Sequence, residues 1–304
     1  MKKRVIFLGN HTVGVRSLGS LMEVCHVELV VAHPADPEDG QVYESVHDFA
    51  MRNRLPVFRS TGRNPDLHRR IEQIDPDLIW TADYRYLLPQ GVIDLASDAC
   101  INLHPSLLPA YRGRAPLNWA ILNGEREVGL TAHLIDEGVD TGAVLCQKRI
   151  PMSPSEDVGD VLRRLEPIYE SITREVIQGL ESGDLVPVPQ PEGDWPTWPR
   201  RTPGDGCIDW NRSSDEIVNL IRAVADPYPG ARTRLGDSEI LVWKATALPD
   251  LESNHVPGSV LSVADRGFMV QAGSGQVEVT SCSPPDLIER IKVGDRFVHD
   301  VNGM

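Results

Sequence analysis

Compact apolar runs alternate, over the first half of the chain, with segments whose apolar positions recur every three or four residues, the periodicities of buried strands and amphipathic helices. Arg4–Gly9 (RVIFLG) is rich in β-branched residues and enters a Gly-punctuated turn, which predicts the first strand of a parallel sheet. Val13–Met22 follows with Val15, Leu18 and Leu21 or Met22 on one helical side. Further strands are expected at Val27–Val31, at Val57 and Phe58, and at Asp77–Ala82, with helices at Tyr43–Arg52 and Leu67–Ile74 between them. After an apolar pattern over Gly91–Cys100, Ile101–Leu103 reads as a brief strand, and Gly129–Asp136 and Ala143–Ile150 as two more. A long helix over Ser155–Glu181, with Val158, Val161, Leu162, Leu165, Ile168, Ile172 and Val176 at helical spacing, closes this part. The alternation predicts an α/β fold, a Rossmann-like doubly wound parallel sheet.

The pattern changes at Leu185–Asp205, where dense Pro and Gly exclude a continuous helix or a central strand and predict a linker. Beyond it, a serine before Asp215 and Glu216 caps a helix with Ile217, Leu220, Ile221 and Val224 on one face. After a turn at Pro227–Gly230 come short β-rich runs at Glu239–Lys244, Gly258–Val263, Gly267–Gln271 and Gln276–Ser281, with a fifth near Arg296–His299. These predict a small open barrel, OB-like, and the organisation 1–184, linker 185–204 and 205–304.

Charge narrows the partners. The 30 basic residues against 44 acidic ones give −14, and no dense Lys/Arg run interrupts that balance, which disfavours a surface built to wrap a nucleic acid. From residue 201 onward, ten Arg or Lys stand against fifteen Asp or Glu. The five cysteines are scattered without CxxC spacing, so neither a disulfide framework nor a thiolate metal site is expected, and no His pattern such as HExxH suggests a metal. The start MKKRVIFLG has too short an apolar run for a signal peptide, and no stretch is long enough to span a bilayer, so a reducing, cytoplasmic setting without membrane contact is expected. The first turn, GNHTVG, lacks the spacing of a dinucleotide-binding loop.

Chemistry gathers at Ile101–Gly113, INLHPSLLPAYRG. Asn102 and His104 are two apart, so an extended chain puts both on one face, and Pro105 helps to hold His104 extended. A carboxamide N–H can stabilise charge developing on a carbonyl oxygen while an imidazole handles a proton near neutral pH, the division of labour of acyl transfer. Taken alone, the pair reads first as structural, hydrogen-bonded at a strand end. His133 shares a strand face with Thr131 and Ile135 and reads as a packed, satisfied histidine.

INLHPSLLPAYRG followed by GLTAHLIDEGVDTG (Gly129–Gly142) resembles the folate-dependent formyltransferase superfamily, which includes methionyl-tRNA, glycinamide ribonucleotide and amino-sugar N-formyltransferases. The resemblance implies a catalytic Asn, His and Asp at Asn102, His104 and Asp140, and 10-formyltetrahydrofolate as formyl donor without a metal. It implies a cofactor pocket lined by Tyr86, Leu87 and Leu88, with Asp136 and Asp140 nearby. His11 near the substrate or as a plain turn residue, Tyr111, Arg112 and Arg114 beside Gly113, Trp195 stacking on a base or anchoring the linker, and Arg201 in RRTP are the candidate substrate contacts. RAPLNW (Arg114–Trp119), and an acidic loop with Asp36, Glu38 and Asp39 ahead of Tyr43-Glu44-Ser45-Val46, look like the enzymes that formylate nucleotide-linked amino sugars. A nucleotide sugar is therefore the expected substrate, methionyl-tRNA the runner-up, a small amine such as a hydroxylated ornithine a further option, and a non-catalytic folate- or nucleotide-binding protein the alternative of a different class. Many sugar formyltransferases are dimers, which leaves a homodimer open.

Overall fold

A computed structural model describes residues 2–34, 42–61, 64–249 and 255–298. The acidic loop with Asp36, Glu38 and Asp39 lies outside these. The chain forms two compact units: 1–113, 128–150 and 163–197 make up one, and 114–127, 151–162 and 198–304 the other.

In the first unit the order is β1 (Arg4–Gly9), α1 (His11–Val24), β2 (His26–Ala32), α2 (Val46–Arg52), β3 (Val57–Arg59), α3 (Pro65–Ile74), β4 (Leu78–Ala82), α4 (Gln90–Ile93), β5 (Ala99–His104) and the two-residue β6 (Arg112–Gly113). Helix α2 begins at Val46 rather than Tyr43 because the Ser45 hydroxyl accepts from the Asp48 amide and fixes the start there. After α5 (Pro116–Leu122), which belongs to the second unit, come β7 (Glu127–Leu134), β8 (Val144–Pro151) and α6 (Val158–Ser182). The sheet has seven strands in the order β3-β2-β1-β4-β5-β7-β8. Neighbours from β3 to β5 run parallel, whereas β7 lies antiparallel to β5.

Residues of both parities are buried along β1 and β4, so both sheet faces are covered. Ile6, Leu8, Leu29, Val31 and Ile79 pack with Leu67 and Ile71 of α3 on one side. On the other, the Trp80 indole N–H donates to Ser17 Oγ at 2.9 Å, and that hydroxyl meets Thr173 Oγ1 of α6 at 3.0 Å, so buried polar atoms are paired where α1 and α6 cross the sheet. The segment expected as a linker meets β8 near its start, where Val144 and Val188 form an isolated bridge with two backbone bonds of 2.8 Å.

The second unit takes α5, then β9 (Thr197–Trp198, of which Trp198 belongs here), a 3-10 turn (Pro203–Gly206), α7 (Ser214–Ala223), β10 (Ala231–Leu235), β11 (Ser238–Leu248), β12 (Val260–Ala264), β13 (Gly267–Gln271), β14 (Gln276–Ser283), α8 (Leu287–Arg290) and β15 (Phe297–Val298). Six strands form an antiparallel sheet in the order β12-β13-β14-β11-β10-β15. Its two edges are bridged by Phe297 N–H to Gly258 O (2.9 Å) and Val260 N–H to Asp295 O (2.8 Å), which curls the sheet into a barrel. Trp210, Phe268 and Phe297 stack inside it, with Phe297 5.6 Å from each of the other two rings. Ser213 and Glu216 form the expected capping box of α7. Asn118 of α5 donates to Ala223 O at the end of α7 at 2.7 Å.

Candidate active site

Strand alternation sends Leu103 into the core, 1% exposed, and leaves Asn102 and His104 on the opposite side at the carboxyl end of β5. The register of the two neighbouring strands then decides what meets them. Thr81 of β4 stands opposite Asn102 on one flank, and His133 of β7 stands opposite it on the other. Cross-strand partners share a sheet face, so Thr81, Asn102 and His133 form a row.

The row is hydrogen-bonded throughout. The Thr81 hydroxyl donates to Asn102 Oδ1 at 2.6 Å, which fixes the carboxamide's orientation. Asn102 Nδ2 then donates to His133 Nε2 at 3.1 Å and to Asp140 Oδ1 at 3.3 Å. Asp140 sits on the loop after β7 with φ of 54°, a left-handed position that Asp tolerates. Its other oxygen, Oδ2, accepts from the Gly113 amide at 2.8 Å and lies 3.5 Å from His104 Nδ1. The single carboxylate thus touches Asn102, His104 and His133 together.

The loop that carries Asp140 is held from three directions. Asp136 Oδ1 accepts from the Gly138 amide at 3.1 Å and the Thr141 hydroxyl at 2.6 Å. Gln190 donates to Asp140 O and Gly142 O, both at 2.8 Å, and its own oxygen accepts from Arg112 Nε at 3.1 Å and Nη2 at 2.6 Å. Gly142 returns so closely under β7 that a Cβ there would lie 1.9 Å from Leu134 O.

Electrostatics follow from this packing. Burial would raise the Asp140 carboxyl, but the His104 and His133 rings, each when it carries a second proton, and the Gly113 N–H outweigh it and hold the group well below the usual carboxylate range. Burial lowers the proton affinity of His104, against the opposing pull of Asp140 and the Tyr111 carbonyl, so the ring is neutral at rest. His104 Nε2 donates to Tyr111 O at 2.9 Å while Nδ1 faces Asp140 Oδ2. A proton gained during a reaction therefore finds an acceptor at each ring nitrogen. A neutral imidazole that can take up a proton, beside a fixed carboxamide donor and an ionised carboxylate, is suited to nucleophilic attack of an amine on a carbonyl carbon.

The other predicted residues divide. Tyr86 and Leu87 are exposed, at 37% and 66%, while Leu88 packs against the core beneath them. Tyr86 stands edge-on to Tyr84 and His33, with centroids 5.6 and 5.2 Å away, which makes an aromatic wall. Asp136 spends its Oδ1 on the loop. His11 stacks on Tyr43 at 4.0 Å, its Nδ1 lies 2.8 Å from Asp83 Oδ2, and its Nε2 accepts from Arg85 Nη2 at 2.7 Å. Tyr111 enters through its carbonyl, with φ of 59°, and Arg112 through Gln190. Trp195 bonds back to Pro191 O at 3.1 Å. Arg114 and Arg201 belong to the second unit, where the Arg201 guanidinium lies 4.9 Å over the Trp119 ring and Trp119 meets Trp198 at 4.9 Å. Thr81, His133 and Gln190 touch Asn102 or the Asp140 loop and were not among the predicted site residues. Only the strand register and the course of the linker bring them in.

A family model described as Formyl transferase matches residues 3–177, and one described as Formyl transferase, C-terminal domain, matches residues 201–287. The chain is 34% identical over 281 residues to a methionyl-tRNA formyltransferase of Acetivibrio thermocellus, covering 91% of this chain and 90% of the relative. Its fold is shared with WlaRD, a sugar 3N-formyl transferase crystallised in the presence of dTDP and 5-N-formyl-THF (TM-score 0.72, 20% identity, 92% of this chain and 98% of the other). It is shared equally with an N-formyltransferase of Helicobacter canadensis in complex with folinic acid and dTDP-3-aminofucose (TM-score 0.72, 20% identity, 92% and 99%).

Proposed function

The chain belongs to the formyl transferase family, and from that premise we propose that it transfers a formyl group from 10-formyltetrahydrofolate to the primary amine of a nucleotide-linked amino sugar. The observation that carries formyl transfer is the meeting of Asn102, His104 and Asp140 around one carboxylate. Tyr86 and Leu87, exposed beside Tyr84, offer aromatic and apolar surface on which a pteridine ring can rest.

The donor supplies the formyl carbon. Asn102 donates to the formyl oxygen as negative charge develops there. His104, neutral at rest, takes up the proton that the attacking nitrogen releases, and Asp140 stabilises the imidazolium through Nδ1. As the new C–N bond forms, the bond from carbon to the donor nitrogen breaks and His104 returns the proton to that nitrogen, so charge and protons balance.

Charge supports the acceptor class. A total of −14, and ten basic against fifteen acidic residues from residue 201 onward, leaves little attraction for a polyphosphate chain as long as a tRNA. The dTDP present with one protein of like fold and the dTDP-3-aminofucose in complex with the other support the same reading. The second reading, methionyl-tRNA as acceptor, is favoured by the 34% identical relative. The test is formyl transfer to a panel of dTDP-, UDP- and GDP-linked 3-amino and 4-amino sugars, with methionyl-tRNA beside them and His104→Ala as control. Turnover of one nucleotide sugar, reduced about 10²- to 10⁴-fold in the control, supports the reading; turnover of the tRNA alone replaces it with the second.

A further inference from the structure

We propose that His133 is a positioning residue for formyl transfer: its Nε2 holds one hydrogen of the Asn102 carboxamide, so that the other is presented to the formyl oxygen. The proposal rests on the formyl-transfer reading of the site and is independent of which amine is the acceptor.

The tautomer of His133 follows from its surroundings. Nδ1 lies 2.7 Å from Leu134 O, and a carbonyl oxygen can only accept, so Nδ1 carries the proton. With the proton on Nδ1, Nε2 presents its lone pair to Asn102 Nδ2, the donor 3.1 Å away, while Asp140 Oδ1 lies farther off at 3.5 Å. The ring is 2% exposed, and burying an imidazole is favourable only where both nitrogens find partners, as here. An apolar side chain would fill the same space and leave one N–H of Asn102 unpaired in a buried position.

The carboxamide is consequently clamped at both ends. Thr81 donates to Oδ1 at 2.6 Å and His133 accepts from Nδ2 at 3.1 Å, which fixes the amide plane in the row set by β4, β5 and β7. The remaining Nδ2 hydrogen rests on Asp140 at 3.3 Å, the longest of the three bonds. It is the hydrogen that a formyl oxygen can engage in place of Asp140 Oδ1 while the clamp stays closed. Preorganisation of this kind matters because a donor that must first be oriented gives up part of its stabilisation of the developing charge.

Two substitutions separate this role from simple packing. Gln places an acceptor oxygen where Nε2 stands, whereas Asn keeps a donor where Nδ1 stands and leaves the Nε2 position empty. His133→Gln should keep kcat within about fivefold of the parent, and His133→Asn should lower it about 10- to 100-fold, with KM for donor and acceptor within about threefold in both. A His133→Asn enzyme equal to or better than His133→Gln, or a loss confined to KM, would overturn the proposal. The ratios are taken on whichever amine the parent formylates, so a parent that accepts only methionyl-tRNA overturns the acceptor reading and leaves this comparison intact. A measurement on the parent alone stands beside them: long-range ¹H–¹⁵N spectra should show His133 protonated on Nδ1 with Nε2 as a bonded acceptor, and the Nε2–H tautomer would overturn the clamp whatever the variants do.

Discussion

Replacing Asp140 by Asn removes one charge at nearly constant shape, and Asn tolerates a φ of 54° as Asp does, so the substitution isolates the carboxylate. The two oxygens accept from different donors, Oδ2 from the Gly113 amide at 2.8 Å and Oδ1 from Asn102 Nδ2 at 3.3 Å. A carboxamide has one acceptor oxygen. Whichever way Asn turns, its NH₂ meets either the Gly113 amide or the Asn102 donor, a mismatch that costs about 1–3 kcal/mol. The charged form of His104 also loses its partner at Nδ1. Together these should lower kcat by about 10²- to 10⁴-fold at neutral pH, roughly 3–5 kcal/mol of barrier. Stability carries a second signature. Because Asp140 is held below its ordinary range in the folded chain, the unfolded chain binds the proton first as pH falls. The contribution of Asp140 is therefore complete above about pH 5 and is lost as pH drops through the carboxylate range, on the order of a few kcal/mol in all. Thermal unfolding from pH 7 to pH 3 should show a shallower acid loss in Asp140→Asn than in the parent. Identical acid limbs, or a kcat within about threefold of the parent, would refute the reasoning.

Three further outcomes can be checked with the same two assays. Thr81→Val removes the hydroxyl that donates to Asn102 Oδ1 at 2.6 Å and should lower kcat about tenfold with little change in KM. Gln190→Leu unties Arg112 from the Asp140 loop and should lower kcat while costing about 1–3 kcal/mol of stability, since the carbonyls of Asp140 and Gly142 lose their donor. Gly142→Ala drives a methyl toward Leu134 O, 1.9 Å from the position of its Cβ, and should shift thermal unfolding downward by an amount corresponding to about 2–4 kcal/mol.

Much of the first unit was legible in the sequence because its strands are continuous apolar runs and its helices carry one-sided stripes. β1, β2 and β4 fall within a residue of the expected bounds. Asn102 and His104 were legible as a pair because a spacing of two fixes a shared face on any strand. What meets that face was not legible, since it depends on which strand lies beside β5 and in which sense. β7 runs antiparallel there, and only that register sets His133 against Asn102. Local pattern made His133 a packed histidine; it is packed, and the atom it packs on is the Asn102 amide. Gln190 was hidden for a different reason, because Pro-rich composition signals a linker without saying where one polar side chain will dip inward. β10 escaped the apolar pattern because its fully buried positions are Ala231 and Thr233, the latter accepting from the Trp210 indole at 2.9 Å.

The most direct measurement is a competition in one vessel: 10-formyltetrahydrofolate, the enzyme, methionyl-tRNA and the best nucleotide-linked amino sugar from the panel, with initial rates of formylation followed on both acceptors across ionic strength. A kcat/KM for the sugar at least a hundredfold above that for the tRNA, little altered by salt, is the predicted result. A kcat/KM that favours the tRNA, and that falls steeply as salt is raised, would contradict it.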